Sequence, residues 1–319
     1  MKQWTNYWQH SKALNSFSEG ESALGYHGEM LTFWENKLKT LPHSACLLDI
    51  GTGNGALAVL CFQYGQSLGG NWQILGIDAA DINPRENIYS NESINLALQK
   101  IVFQGNTFIE NSNLEADSYD FISSQYAIEY ADLSKSINEV FRVLKPNGKF
   151  CALMHSCQSE IVKDSKVGLA FLDELINETN FLKDVSVVLS YSVSFLKAGR
   201  VLADDPEFKR LNQSLIKRVS FLKSRAQDAG CEVWFNSILS RIGPLLYNLR
   251  LQNVEIFADY CEQLSLYRMR IQDQLNAIVD KHRKEIISST LDRLGVKYCF
   301  SELIIEHRNV GLILEFNKS

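Results

Sequence analysis

The stretch Ala45-Cys46-Leu47-Leu48-Asp49-Ile50-Gly51-Thr52-Gly53-Asn54-Gly55 decides the fold. Its first six residues are almost all apolar, as in a strand of a parallel sheet that is buried on both faces. Three glycines follow at alternate positions. Helical sequence then runs from Gly55 to Ser67 and stops at Gly69-Gly70. A strand, a glycine turn and a helix N-terminus together bring backbone N–H groups close to a ligand. Glycine is needed there because a Cβ would collide with the ligand, or because φ is positive.

Working toward the C-terminus, strand-like runs recur at Trp72–Asp78, Ile101–Gln104, Tyr119–Ser124 and Lys149–Met154. Between them lie a short helix over Asn91–Lys100 and a second helix capped by Asp132 and running to Leu144. Lys145-Pro146-Asn147-Gly148 reads as a turn. Strands alternating with helices predict βαβ units around a parallel sheet. After residue 157 the rhythm changes to helical periodicity, up to about residue 284. Asp205-Pro206 reads as a helix start, and Gly230 and Gly243-Pro244 as breaks between helices. Ile286–Leu294 is a further predicted helix. Val296–Ile305 and Val310–Phe316 are strands joined by Glu306-His307-Arg308-Asn309, short enough for an antiparallel hairpin. Toward the N-terminus, Glu29–Leu41 is helical and ended by Pro42. Residues 1–27 carry Trp4, Tyr7, Trp8, Phe17 and Tyr26. Three parts are expected: an N-terminal aromatic segment (1–42), a sheet domain (43–156 with 285–319) and a helical insertion (157–284).

Two ligands suit the glycine turn. Gly51, Gly53 and Ala56 meet the spacing of a dinucleotide fingerprint, so NAD stays open. Asp49, two residues before the first glycine, favours a ligand with a cationic ammonium and sulfonium over a diphosphate. Asp78, with Ala79 after it, ends the second strand, where a carboxylate can accept from both ribose hydroxyls. Asp81 competes for that role.

The ordered pattern Asp49-x-Gly51-x-Gly53-x-Gly55 resembles the first motif of class I (Rossmann-like) S-adenosylmethionine-dependent methyltransferases. Gln104-Gly105-Asn106-Thr107 sits where that family has Gly-Asp-Ala or similar, with Asn106 in place of the more frequent Asp. Tyr119-Asp120-Phe121 and Gln125-Tyr126-Ala127-Ile128-Glu129-Tyr130 resemble its fourth strand and the loop after it. Glu139 to Lys149 resembles its E-x-x-R-V-L-K-P-G-G segment, with Asn147 for the first glycine. The resemblance covers about 43–156 and 285–319. It implies an α/β fold: a doubly wound, mostly parallel seven-stranded sheet with an antiparallel last strand, here with a helical insertion between strands five and six. It also implies S-adenosyl-L-methionine as cofactor and S-adenosyl-L-homocysteine as product. The cofactor-binding candidates are Asp49, Gly51, Thr52, Gly53, Asn54, Gly55, Asp78, Ala79, Asn106, Thr107, Gln125, Tyr126 and Tyr26.

Methyl transfer from a sulfonium needs geometry and exclusion of water more than acid catalysis, because the leaving thioether is neutral. A base matters only when the nucleophile arrives protonated. His155, directly after the fifth strand, suits proton removal near neutrality. Glu129 and Tyr130, after the fourth strand, are the other catalytic candidates. Tyr26 and His27, with Trp4, Tyr7 and Trp8, are placed to fold over the cofactor, where aromatic faces attract a sulfonium. They serve equally as an apolar clasp.

The 319 residues are 45% hydrophobic and 22% charged, with 32 basic and 37 acidic side chains and a net charge of −5. That balance is not the footprint of a general nucleic-acid binder. The N-terminal MKQWTNYWQH has no apolar signal region, and no apolar run is long enough to span a bilayer. Seven cysteines in no metal-ligating or paired pattern fit reduced thiols in a cytoplasmic protein, and no metal is expected. The insertion has an apolar stripe at Leu211, Leu215, Val219 and Leu222 and many aromatics, which suggests a helical lid over a small-molecule substrate. Lys209, Arg210, Lys217, Arg218, Lys223 and Arg225 lie within one predicted helix. They form either a solvated face or a docking surface for an anionic carrier protein or phosphate-bearing substrate. Three functional readings stand: a methyltransferase, an NAD-dependent oxidoreductase, and a catalytically silent S-adenosylmethionine-binding protein.

Overall fold

The computed structural model describes residues 1–11, 13–16 and 23–319, so Phe17 lies outside the described residues. It contains a seven-stranded sheet in the order β3-β2-β1-β4-β5-β7-β6. The strands are β1 (Cys46–Ile50), β2 (Gln73–Ile77), β3 (Val102–Gln104), β4 (Tyr119–Gln125), β5 (Leu144–Met154), β6 (Tyr298–Ile305) and β7 (Arg308–Asn317). Pairings among β1 to β5 are parallel, and β7 runs antiparallel to both β5 and β6. The chain runs outward from β1 to β2 and β3, then returns to β4 on the other side of β1. The carboxyl ends of β1 and β4 therefore form the switch point at which ligands enter open α/β sheets.

Alternation along the strands splits the core into two layers. Leu47, Phe121, Cys151 and Leu153 face α2 (Gly28–Leu38), α3 (Ala56–Ser67) and α4 (Glu92–Lys100), against Trp34, Ala58 and Leu98. Leu48, Ile122, Phe150 and Leu314 face α5 (Leu133–Val143) and α11 (Lys281–Arg293), against Ile137, Val140, Ile287 and Leu291. Two predicted caps are present: the side chain of Asp132 accepts from the Lys135 N–H, and that of Asp205 from the Phe208 N–H. Each is worth about 1 kcal/mol.

The chain divides into two compact units. One comprises Met1–Val162 with Asp273–Ser319 and holds the whole sheet, together with α1 (Lys2–His10). The other, Lys163–Gln272, is helical. It contains most of α6 (Glu160–Asp173) and α10 (Asn253–Asn276), with α7 (Phe181–Lys197), α8 (Pro206–Asp228) and α9 (Glu232–Tyr247) between them. Leu215 and Leu222 of the predicted stripe are buried in α8. Phe171 and Phe181 meet Phe235 edge-on at centroid distances of 5.8 and 6.3 Å. These aromatics build the core of the helical unit itself.

Three local expectations are corrected. Gly243-Pro244 does not break a helix: α9 continues through it to Tyr247. Pro244 lies in the last turn, where the lost N–H removes one bond, and the Asn248 N–H still bonds to its carbonyl. Lys145–Gly148 is not a free turn but an irregular start to β5, where the register with β4 shifts between Tyr119 and Phe121. The hairpin connection is only Glu306-His307, both with positive φ (48° and 63°), as in the two-residue turns that match strand twist.

Candidate functional site

The glycine turn lies at the carboxyl end of β1. Gly51 has φ +69°, and a Cβ there would sit 2.1 Å from the Ala127 Cβ, so the turns after β1 and β4 touch. The N–H groups of Gly51 and Thr52 donate to the Ile77 carbonyl, at 2.8 and 3.0 Å, which ties the turn to the end of β2. Gly53 has φ +52°, and its N–H donates to Asp78 Oδ2 at 2.8 Å. Asp78 Oδ1 accepts from the Ala80 N–H at 2.8 Å. Gly55, with φ +92°, caps α3.

Two carboxyls are buried at this turn. Burial pushes Asp49 up to about 7, partly opposed by the nearby hydroxyls of Thr52 and Ser123, the second of which donates to its Oδ1 at 3.0 Å. Its Oδ2 is buried with no hydrogen-bond partner, as is the hydroxyl of Thr52. Burial pushes Asp78 up to about 6, with the N–H groups of Ala80 and Gly53 acting in the other direction. Tyr26 packs against the core layer that contains α3, and burial and the Asp49 carboxylate hold its hydroxyl well above its usual range.

A cavity of about 410 Å³ opens beside the turn, within the sheet-containing unit. That size suits a small-molecule site. One end is walled by Asp78, Ala79, Thr107, Phe108 and Ile109. Gly51 and Ile50 lie between, and Tyr126 to Ala131 form the other end. There Glu129 is fully buried in a 3-10 turn, Ile128–Tyr130. Its Oε1 accepts from the backbone N–H of His155 at 2.9 Å and pairs with His155 Nδ1 at 2.7 Å. Its Oε2 has no partner. Arg283, from the first turn of α11, donates to the Glu129 carbonyl, while its buried Nε is unpartnered. The rings of Tyr126 and Tyr130 lie 4.6 and 5.9 Å from that of His155. Burial and the Glu129 carboxylate hold both tyrosine hydroxyls above their usual range.

The predicted residues therefore separate. Gly51, Asp78, Ala79, Thr107, Tyr126, Glu129 and Tyr130 share the cavity wall. Four side chains are engaged elsewhere. The Asn54 amide donates to the carbonyls of Ser11 and Ala13, at 3.2 and 2.9 Å, and so fastens the N-terminal segment. Gln125 Oε1 accepts from the Trp34 indole at 2.6 Å. Asn106 donates to Asp81 at 3.3 Å. His155 is 4% exposed and sits behind Glu129, which alone of the pair reaches the cavity wall. Sequence reasoning missed Asp273 and Arg283, which it placed in the insertion but which follow the helical unit Lys163–Gln272, and Phe108. Only the apolar character of Phe108 in an otherwise polar loop signalled it.

Residues 43–187 match a family model described as methyltransferase domain. Over these residues the chain is similar to a methyltransferase domain. The uncharacterized methyltransferase YcgJ of Bacillus subtilis is 31% identical over 149 residues, covering 46% of this chain and 52% of the relative. The ubiquinone/menaquinone biosynthesis C-methyltransferase UbiE of Rickettsia typhi is 31% identical over 140 residues, covering 41% and 54%. The chain thus spans about half the length of the curated relatives it matches. Among solved structures, the citrinin polyketide synthase CMeT domain aligns with a TM-score of 0.41 and 14% identity, covering 91% of this chain and 51% of that one. The Bacillus YcgJ crystal structure aligns with a TM-score of 0.35 and 17% identity, covering 92% and 100%.

S-adenosylmethionine is the cofactor of this domain family, and the residues present fit it. Asp49 offers a buried, unpartnered carboxylate oxygen beneath the turn, and Asp78 a second carboxylate in the cavity wall. Two carboxyl groups at one turn, whose charged forms a cation would favour, suit a cationic ligand and disfavour a diphosphate. In the helical unit, four of the six basic side chains of α8 pair with carboxylates: Lys209 with Asp204, Arg210 with Glu207, Arg218 with Asp184 and Arg225 with Glu174. No helix among the described residues is long and apolar enough to cross a membrane.

Proposed function

We propose that the protein transfers a methyl group from S-adenosylmethionine to an O, N or C atom of a small-molecule acceptor. The observation that carries this reading is the single cavity running from Asp78 and Thr107, past the glycine turn, to Glu129. When bound, the cofactor supplies a methyl group on a positively charged sulfur. Asp78, Ala79 and Thr107 are assigned to its nucleoside. Asp49, Gly51, Thr52, Gly53 and Gly55 are assigned to its charged portion, with Tyr126 and Tyr26 at the edges of the turn.

At the other end, the unpartnered Oε2 of Glu129 is the atom that meets the acceptor. It accepts a hydrogen bond from an acceptor hydroxyl or amine and takes the proton when one must leave. His155 is a positioning residue: its two N–H groups fix Oε1 and leave Oε2 without a protein partner. Tyr130 walls the site and excludes water. The helical unit, Lys163–Gln272, is assigned to acceptor selection. The pairing of most basic side chains on α8 speaks against an anionic carrier as the acceptor.

The test is acceptor-dependent formation of S-adenosylhomocysteine, followed by mass spectrometry with panels of phenols, amines and activated carbon acids. Turnover that Glu129→Gln abolishes supports the reading. Tight cofactor binding with no turnover across all panels favours a catalytically silent binding protein instead.

A further inference from the structure

The N-terminal helix α1 crosses the glycine turn. Trp4 and Trp8 are four residues apart, share one face of the helix, and both line the cavity. Trp8 is the closer to the turn. A Cβ built on Gly53 would lie 2.5–2.7 Å from three atoms of its six-membered ring. The indole therefore rests directly on the backbone assigned to the charged portion of the cofactor.

The placement is fastened on both sides of Trp8. Gln3 and the Trp4 indole donate to Asp273 at 2.5 and 3.0 Å. The Thr5 hydroxyl accepts from the Asp81 N–H at 3.0 Å, and Gln9 donates to Asp81 at 3.2 Å. Beyond the helix, the carbonyls of Ser11 and Ala13 hold the Asn54 amide. Four hydrogen bonds from α1 and two just beyond it fix the helix more specifically than an apolar clasp requires. Tyr7 meets Trp8 edge-on at 4.8 Å, which fixes the ring plane. No lysine or arginine among the described residues lies over Trp8, whereas five other aromatic rings carry a cation.

We propose that Trp8 belongs to the cofactor site and that its indole face recognises the positive charge on the methyl-bearing sulfur. The proposal rests on the cofactor reading above. An aromatic face attracts a cation by about 0.5–2 kcal/mol, and tryptophan does so best. The charged S-adenosylmethionine would gain from this contact and the neutral S-adenosylhomocysteine would not. Trp8 would thus favour the methyl donor over the spent product.

Calorimetric titration of both compounds into the full chain and into Trp8→Leu and Trp8→Phe tests this. We expect Trp8→Leu to weaken S-adenosylmethionine about 2- to 30-fold more than S-adenosylhomocysteine, the range that such a contact implies. Trp8→Phe should keep most of the discrimination, and thermal unfolding should show both variants folded. An unchanged affinity ratio in a folded Trp8→Leu, with both ligands weakened alike or neither weakened, overturns the inference and leaves the cofactor reading standing. If the unaltered protein binds neither compound, the cofactor reading itself fails.

Discussion

Glu129 holds His155 twice through one oxygen: Oε1 takes the backbone N–H at 2.9 Å and Nδ1 at 2.7 Å. The pair joins the turn after β4 to the end of β5. Replacing Glu129 by Ala strips an acceptor from a buried backbone N–H and a buried ring N–H. Each orphaned donor costs about 1–3 kcal/mol. Urea denaturation should show that loss for Glu129→Ala and a smaller one for Glu129→Gln, whose amide oxygen still accepts.

Asp49 gives a pH signature. Burial raises its folded pKa to about 7, above an unfolded value of about 4. Between those values the native state holds a proton that the unfolded chain has released. Stability from this group is therefore full below pH 4 and falls as pH rises to 7, by at most about 1.4 kcal/mol per pH unit. Asp49→Asn should flatten that part of the stability–pH curve. Affinity for a cationic ligand should rise over the same range in the unaltered protein, and not in Asp49→Asn.

Gly53→Ala meets two obstacles. Its φ of +52° disfavours any side chain, and the new methyl group would enter the ring of Trp8. The backbone term alone is about 1–2 kcal/mol. Hydrogen exchange should show α1 losing protection over residues 2–10 while the sheet keeps it. Protection unchanged in α1 would mean that the helix is not seated on Gly53.

The hairpin turn is improvable. Glu306 and His307 both carry positive φ, where side chains are strained. The double replacement Glu306→Asn, His307→Gly should raise stability by about 1 kcal/mol, read from the denaturation midpoint.

Much of the fold was legible because its signals are local. Ala45–Gly55 contains its own strand, turn and helix start, and Asp132 and Asp205 announce helices a few residues ahead. The site was half legible for the same reason. Asp78 and Thr107 follow strands that can be read directly. Gln125 and Asn54 carry no local sign that Trp34 and the N-terminal carbonyls would claim them. The seating of α1 depends on Asp273, about 270 residues away in the chain. Arg283 reaches the Glu129 turn only after the helical unit Lys163–Gln272 has intervened in the chain. Pro244 misled because a helix breaker in a last turn costs a single bond.

The central claim is that the turn around Gly53 binds a charged sulfur nucleoside. Isothermal titration of the unaltered protein, Asp49→Ala and Gly53→Val with S-adenosylmethionine and NAD tests it most directly. The account predicts one site for S-adenosylmethionine, severe loss in both variants, and no heat from NAD. Undiminished S-adenosylmethionine affinity in both variants, or NAD binding that both variants abolish, would contradict it.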